Sequence, residues 1–255
     1  MTLGLYVEGG RLQGLHPVTK LLGMLALFTA TFLTDDVVAL LPLAALIALL
    51  GAAAGALGNF ARLRGLLLLV FGMTFVIWSL FYPEGDPFLV RGPLRLSVEG
   101  MRFAAGIGLK LVAFIGVGIV FLSATRIEEF AYALHRIGLP HKVAFTITLT
   151  FRLVPVFLDS ATSVVQAQRC RGYDFDRGGP LARLRRYVPI LVPVFVGALR
   201  RADGMAIALD SRGFQSAGRR TSFAPYRFAA ADAAALLAVA GVTAGYGWLW
   251  RAGGL

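Results

Sequence analysis

The sequence predicts an all-α integral membrane protein with about five transmembrane helices and about three cytoplasmic helices. Two observations carry this prediction. Hydrophobic residues make up 57% of the 255-residue chain and charged residues only 15%, whereas soluble domains have about 25% charged residues. The charge is also unevenly placed, because sixteen of the 25 lysines and arginines lie between residues 126 and 227. This pattern is typical of a helical bundle with a basic segment on one side of the membrane.

Stretches without charged residues locate the spans, since a transmembrane helix needs about 20 apolar residues. Two stretches are shorter than that, and we expect Lys20 and Lys110 to extend them by placing their ammonium groups at the membrane surface. The sequence therefore predicts an N-terminal bundle over residues 1–125 and a last transmembrane helix within 228–255. The predicted spans of the bundle lie near 16–34, 37–61, 65–83 and 103–125.

Lysines and arginines in short loops predict the orientation, because these residues are retained on the cytoplasmic side. Arg62 and Arg64 follow the second predicted span, whereas the turn at 34–36 carries no cation. We therefore expect the loop after the second span and the basic segment 126–227 to be cytoplasmic. With five spans, the N-terminus is then cytoplasmic and the C-terminus lies outside.

The basic segment predicts three helices of its own. Its longest uncharged run, 187–199, has 13 residues, which suits an interfacial or buried helix better than a crossing one. Each helical pattern ends close to a glycine, which tolerates the left-handed backbone conformation of a C-terminal cap. The predicted helices cover about 125–137, 140–171 and 180–212, with Gly138, Gly172 and Gly213 at their ends.

The second and third of these helices end on the same dipeptide. Arg171-Gly172 follows VPVF at 154–157, and Arg212-Gly213 follows VPVF at 192–195. One Arg-Gly helix end is explained by the helix dipole and the glycine cap alone. Two copies on matched helices favour docking, because arginine pairs bidentately with carboxylates of a partner. Prolines within the two helices are expected to bend them, and these are Pro155, Pro189 and Pro193.

Two small-xxx-small patterns predict close helix packing. They are GAAAG at 51–55 and GVTAG at 241–245. Small residues let neighbouring helices approach closely in a membrane. We expect this packing within one chain rather than between two copies.

Motifs for catalysis are absent from the sequence. It contains no Gly-Lys dipeptide, hence no phosphate-binding P-loop, and no HExxH motif. Glu128-Glu129 lacks the arginine of an EExxxR protease motif, because residue 133 is alanine. The single cysteine, Cys170, excludes an internal disulfide. We therefore expect a protein that is not an enzyme, with no catalytic residues, no metal ligands and no nucleic-acid partner.

The two Arg-Gly ends and their surroundings resemble the transmembrane T component of energy-coupling factor transporters. The matching segments are CRG at 170–172, SRG at 211–213, LHPVTKLL at 15–22, GLPHKVAF at 138–145 and ALDSRGFQSAGRRT at 208–221. The likeness covers nearly the whole chain, and its specificity rests on the two motifs and their spacing. The family motif is usually Ala-Arg-Gly, whereas this sequence has Cys170 and Ser211, both small, at the first position.

The resemblance implies a scaffold that joins two ATP-binding cassette ATPases, a homo- or heterodimer, to a membrane-embedded S component. The S component captures a vitamin or a transition-metal ion. The long cytoplasmic helices are then coupling helices, and Arg171 and Arg212, with the small residues beside them, dock into the ATPases. The chain is expected to bind no cofactor itself, whereas the ATPases use ATP and Mg. The resemblance also implies a multi-pass protein of the cell (inner) membrane.

Arginines near the two motifs are also expected to contact anionic lipid. They are Arg169, Arg177, Arg183, Arg185, Arg186, Arg219 and Arg220.

Two other functions are compatible with the sequence. A self-sufficient permease or channel would have seven or more spans, with the VPVF helices crossing the bilayer. A membrane-bound enzyme would need a site that no motif reveals.

Overall fold

The computed structural model describes residues 6–7, 9–34, 36–82, 87–91, 94–174, 179, 187–216 and 226–251. Eight α-helices in these residues confirm the all-α fold class. The helices are α1 (Pro17–Phe32), α2 (Val37–Ala53), α3 (Leu57–Phe81), α4 (Val98–Ala124), α5 (Ile127–Arg136), α6 (His141–Cys170), α7 (Val188–Ser211) and α8 (Ala230–Arg251). A 3-10 helix, Arg11–Gly14, precedes α1, and the antiparallel strands β1 (Pro87–Arg91) and β2 (Leu94–Ser97) connect α3 to α4.

Contacts divide the chain into two compact units. The first unit comprises Met1–Pro140 and Tyr226–Leu255, and the second unit comprises His141–Pro225. The apolar helices α1, α2, α3, α4 and α8 therefore belong to the first unit, whereas α6 and α7 form the second. The amphipathic α5, which the sequence groups with the basic segment, packs against α1 within the first unit.

Glycines set the spacing of helices in the first unit. A Cβ on Gly51 would lie 2.7 Å from a ring carbon of Phe60, which confirms the close packing predicted for the first small-residue pattern. At Gly241 and Gly245 a Cβ would meet no described atom within 4 Å. The packing predicted for the second pattern is therefore wrong, because α8 turns a different face to the core. That face carries Val239, Val242 and Tyr246.

Contacts at helix ends show that the helices of the first unit alternate in direction. The backbone N–H of His16, before α1, donates to the carboxylate of Asp232 in the first turn of α8 over 2.6 Å. The amide of Asn59, in the first turn of α3, donates to the hydroxyl of Ser123 near the end of α4 over 2.8 Å. Lys20 of α1 also donates to the carbonyl of Ala124 at the end of α4. The starts of α1, α3 and α8 and the end of α4 thus lie on one side, which we call the α5 face because α5 follows α4 there.

Helix ends also meet on the opposite side of the first unit. Arg102, near the start of α4, forms an ion pair with Asp36, directly before α2, with 2.8 Å between nitrogen and oxygen. Lys110 donates over 2.9 Å to the carbonyl of Phe32, the last residue of α1. Lys110 thus reaches from the interior of α4 to the end of α1, as expected of a lysine that extends an apolar span.

The predicted boundary between the second and third spans is wrong. α2 already ends at Ala53, because Gly55 adopts a left-handed backbone conformation with a φ of +74°. α3 begins at Leu57, so Arg62 and Arg64 lie within its first turns rather than in a loop. The cytoplasmic location that these arginines indicate therefore applies to the start of α3, which lies on the α5 face, rather than to a loop.

Two other helix starts differ from the sequence prediction or extend beyond the described residues. α4 begins at Val98 rather than near residue 103, because the Ser97 hydroxyl caps it by accepting from the N–H of Gly100 over 2.9 Å. α7 is described from Val188 onward. Residues 180–186, with which the third helix of the basic segment was predicted to begin, lie outside the described residues.

Length and hydropathy select a different set of candidate spans from the predicted five. Among the described helices, α3, α4, α6 and Ala230–Trp248 of α8 are long and apolar enough to cross a membrane. The helices α1 and α2 are apolar but have only 16 and 17 residues. Both pack against the candidate span α4 in the first unit, which favours their interpretation as spans. α6 differs from the other candidate spans in carrying two exposed charged residues in its middle, Arg152 and Asp159, which are costly in a crossing helix.

Lys20 is buried, so the predicted placement of its ammonium group at the membrane surface is wrong. Its side chain is only 4% exposed, and Nζ forms an ion pair with Glu129 of α5 over 2.8 Å. Nζ also donates to the carbonyls of Gln13 and Ala124 over 2.9 and 3.0 Å. An ammonium group has three N–H donors, and all three are used. Lys20 therefore joins α1 to the 3-10 helix, α4 and α5.

We predict that Lys20→Met lowers the free energy of unfolding by about 3–5 kcal/mol, because Glu129 would be left as an unpaired, largely buried charge. Thermal unfolding of the purified protein in one detergent measures the loss. Lys142→Met is the control, because Lys142 is exposed in the first turn of α6 and its replacement should change stability by at most about 0.5 kcal/mol. Equal unfolding temperatures for both variants would contradict a stabilising role of the buried pair.

Candidate functional site

The end of α6 is a backbone turn around Gly172, whose φ is +83°. The N–H of Gly172 donates to the carbonyl of Arg169 over 2.9 Å, and the N–H of Tyr173 donates to the carbonyl of Gln168 over 3.0 Å. This pair of bonds is the Schellman motif, which satisfies the last carbonyls of a helix. Arg171 is the residue directly before the glycine.

The end of α7 repeats this turn around Gly213, whose φ is +69°. The N–H of Gly213 donates to the carbonyl of Asp210 over 2.9 Å, and the N–H of Phe214 donates to the carbonyl of Leu209 over 3.0 Å. Arg212 thus occupies the same position in α7 as Arg171 in α6. The two glycine caps predicted from the sequence are confirmed.

Two further helices show that this turn requires glycine but not arginine. α2 and α5 end in Schellman motifs at Ala54-Gly55 and Ile137-Gly138. Their hydrogen bonds run from Gly55 to Ala52 (3.0 Å), Ala56 to Gly51 (2.8 Å), Gly138 to His135 (3.2 Å) and Leu139 to Leu134 (3.0 Å). Alanine and isoleucine take the place of arginine in these two turns. The backbone geometry therefore does not account for the arginines of α6 and α7.

Both arginine side chains are accessible to a partner. Arg171 and Arg212 are exposed, and neither guanidinium has a hydrogen-bond or ion-pair partner within the residues that the structure describes. The small neighbours are exposed as well: Cys170 is a free thiol, and the Ser211 hydroxyl donates to the carbonyl of Ala208 over 3.0 Å. Each helix end therefore presents a planar cation that can bind a carboxylate bidentately.

Phe214 fixes the position of the second helix end. Its ring packs against Phe145, with ring centroids 4.6 Å apart, and lies 6.2 Å from the ring of His141. Since both partners belong to the first two turns of α6, the end of α7 lies beside the start of α6. Arg171 lies at the other end of α6, whose 30 residues correspond to about 45 Å of helix. The two arginines therefore mark two separate positions.

The sequence did not predict the contacts of Phe214. GLPHKVAF contains both His141 and Phe145, but no local pattern pairs this segment with a residue about seventy positions later. A hydrophobic residue after a glycine cap often packs back onto its own helix. Here Phe214 packs on the neighbouring helix instead.

Two of the three predicted helix-bending prolines lie in helix interiors. They are Pro155 in α6 and Pro193 in α7. Pro189 is in the first turn of α7, where a backbone N–H has no partner within the helix. It removes no hydrogen bond from the helix, so the prediction that Pro189 bends α7 is wrong.

The charged side chains beside the two helix ends differ. Arg169 is exposed in the last turn of α6. Asp210 is exposed in the last turn of α7, where its carboxylate accepts from the Gln215 amide over 3.1 Å. The end of α6 thus carries a second exposed arginine, whereas the end of α7 carries an exposed carboxylate. The other arginines predicted at lipid lie outside the described residues, namely Arg177, Arg183, Arg185, Arg186, Arg219 and Arg220.

Comparison with known proteins identifies the family. The family model CbiQ, described as cobalt transport protein, matches residues 11–223. The energy-coupling factor transporter transmembrane protein EcfT of Thermosediminibacter oceani is 32% identical over 250 residues, which cover 93% of each chain. The protein of the same name from Thermanaerovibrio acidaminovorans is 31% identical over 100% of this chain and 98% of its own. The one from Lactococcus lactis subsp. cremoris is 28% identical over 94% of each chain.

The family match spans both Arg-Gly helix ends, and the relatives match nearly the whole chain. The relatives are named as transmembrane proteins of a transporter, in agreement with the apolar helices of this chain. The resemblance seen in the sequence is therefore confirmed. The chain belongs to the family of energy-coupling factor transporter transmembrane proteins, the T components.

Proposed function

We propose that this chain couples ATP hydrolysis by two partner ATPases to substrate uptake through a membrane-embedded S component. The observation that carries the proposal is the pair of exposed arginines at matched helix ends. Because the same turn forms without arginine in α2 and α5, the side chains of Arg171 and Arg212 are available for another role. The names of the relatives, which refer to energy coupling, support this role.

In this proposal each arginine docks into one ATPase of a homo- or heterodimer. About 45 Å of α6 lies between the two positions, which suits two globular partners, since even a 100-residue domain has a radius of gyration of about 13 Å. The small residues Cys170, Gly172, Ser211 and Gly213 allow a partner to approach the guanidinium closely. ATP and Mg are bound by the ATPases, and this chain binds neither.

The proposed substrate is a vitamin or a transition-metal ion that the S component captures. The family description, cobalt transport protein, supports the metal ion.

Anionic lipid is a further proposed partner, with Arg169 of the exposed α6 end as one contact. Negative headgroups attract basic segments at the cytoplasmic surface.

We expect Arg171→Ala and Arg212→Ala each to weaken ATPase binding by about 2–5 kcal/mol, because a carboxylate of the partner would be left buried without its cation. Arg→Lys at either position should restore only part of the affinity, since the bidentate geometry is lost. The measurement is the amount of both ATPases retained when the tagged chain is purified with its partners. Arg200→Ala is the matched control, because Arg200 is exposed on α7 about three turns before its end.

Glycine variants separate folding from docking. Gly172→Ala should destabilise the chain by roughly 1–2 kcal/mol, because alanine is strained at a φ of +83°. Arg171→Ala should leave the unfolding temperature unchanged, since the turn does not need the arginine. Wild-type retention of the ATPases by both arginine-to-alanine variants would contradict docking and leave only the interaction with the helix dipole.

The chain is proposed to lie in the cell (inner) membrane with its α5 face in the cytoplasm. The basic segment supports this orientation through the retention of lysine and arginine inside. With five spans the N-terminus is then cytoplasmic and the C-terminus outside. One observation favours the alternative of a self-sufficient permease or channel with seven or more spans, because α6 is long and apolar enough to cross. The two proposals place Cys170 on opposite sides of the membrane.

Cys170 can report its own side, because it is the single cysteine of the chain and is exposed. We predict that a membrane-impermeant maleimide labels it only after the cells are permeabilised. Glu99→Cys in a Cys170→Ser background is the control for the opposite side, since Glu99 is exposed in the first turn of α4. This control should react in intact cells. Reaction of Cys170 in intact cells would instead support the permease.

A further inference from the structure

A cavity of about 110 Å³ lies inside the first unit, between α1, α4 and α8. It begins at Leu12, before α1, and extends along α1 to Leu27 and along α8 to Val239. None of its lining residues belongs to the two arginine helix ends. Its walls are almost entirely apolar.

One end of the cavity carries a buried hydroxyl group that lacks a partner. Thr125, which directly follows α4, lines the cavity and is 7% exposed. Its Oγ1 forms no hydrogen bond with any residue that the structure describes. A buried polar group is unfavourable without a hydrogen bond, above all in hydrocarbon where water is absent. The hydroxyl therefore indicates a ligand with a hydrogen-bonding atom at this end.

The charged group beside the cavity is not available to an anion. Lys20 lines the same end, but its three N–H donors are used by Gln13, Ala124 and Glu129. The site thus offers two neutral hydroxyl groups, those of Thr125 and of the buried Thr19, and no free charge. It favours an uncharged acceptor, such as an ester carbonyl, over a carboxylate.

The polarity of the walls changes with depth in the bundle. Thr19 and Lys20 lie in the first turn of α1, and Leu27 lies about 12 Å further along the helix from Thr19. At the deeper levels the lining side chains are apolar, as Met24 and Val117 show. A phospholipid has the same order, with ester groups near the surface of the bilayer and hydrocarbon below.

We propose that this cavity binds the ester end of a phospholipid acyl chain, with Thr125 Oγ1 donating to the ester carbonyl and the methylene groups lying between α1, α4 and α8. This site differs from the lipid contacts of the basic segment, because it lies in the first unit and binds the acyl chain rather than the headgroup. The bound acyl chain fills the space between these three helices and adds apolar contacts there.

A cavity-filling variant tests the proposal. Gly23 lines the cavity, and a Cβ on it would meet no described atom within 4 Å, so Gly23→Ile places its side chain in this space. Gly118→Ile is the matched control, because a Cβ on Gly118 also meets open space but Gly118 does not line the cavity. Native mass spectrometry of the full chain in a mild detergent counts bound phospholipid. We expect one phospholipid to be lost from Gly23→Ile and kept by Gly118→Ile and the wild type.

Thr125→Val tests the hydrogen bond. It also keeps the proposal testable if Gly23→Ile does not fold. Valine keeps the shape of threonine without its hydroxyl, so phospholipid retention should fall roughly fivefold, as for one hydrogen bond. In lipid-free detergent this variant should unfold at the wild-type temperature or above. Added phosphatidylglycerol should raise the unfolding temperature of the wild type more than that of Thr125→Val. Equal lipid counts in both glycine variants, or equal stabilisation of wild type and Thr125→Val, would overturn the proposal.

Discussion

The arrangement of the first unit depends on the ion pair and hydrogen bonds of the Lys20 ammonium group. A charge in an apolar bundle is tolerated only when all its donors are satisfied, and here the acceptors come from the 3-10 helix, the end of α4 and the first turn of α5. These three segments cannot shift independently without leaving a donor or Glu129 unsatisfied. The same contact therefore holds the end of α4 and the first turn of α5 beside the start of α1.

Four helices end in one backbone geometry, and the residue before the glycine distinguishes them. Ala54 and Ile137 occupy that position in the first unit, and Arg171 and Arg212 occupy it in the second. The glycine serves folding, because only it adopts the left-handed conformation without strain. The side chain before the glycine is not needed for the turn and is an exposed arginine in both helices of the second unit, which is the basis of the docking proposed above.

Features encoded in local sequence could be predicted, whereas those set by distant contacts could not. Apolar stretches predicted the membrane helices, and the positions of glycines predicted the ends of α5, α6 and α7. The cap at Gly55 was missed because GAAAG also fits the pattern of packed small residues. Both descriptions apply to this segment, since Gly51 packs against Phe60 and Gly55 ends α2. Lys20 was expected at the surface because its partner Glu129 is more than a hundred residues away. The contact of Phe214 with α6 and the cavity beside Thr125 likewise arise only in the folded chain.

The position of Phe214 has a mechanical consequence for the second unit. Because it holds the end of α7 against the first turns of α6, a force applied at Arg212 acts close to the point where the chain enters α6. A force at Arg171 acts at the far end of the same helix, on a lever arm of about 45 Å. Equal pulls at the two arginines would therefore exert unequal torques on α6. In the proposed complex, two identical ATPases would therefore act on this pair of helices at unequal distances from the start of α6.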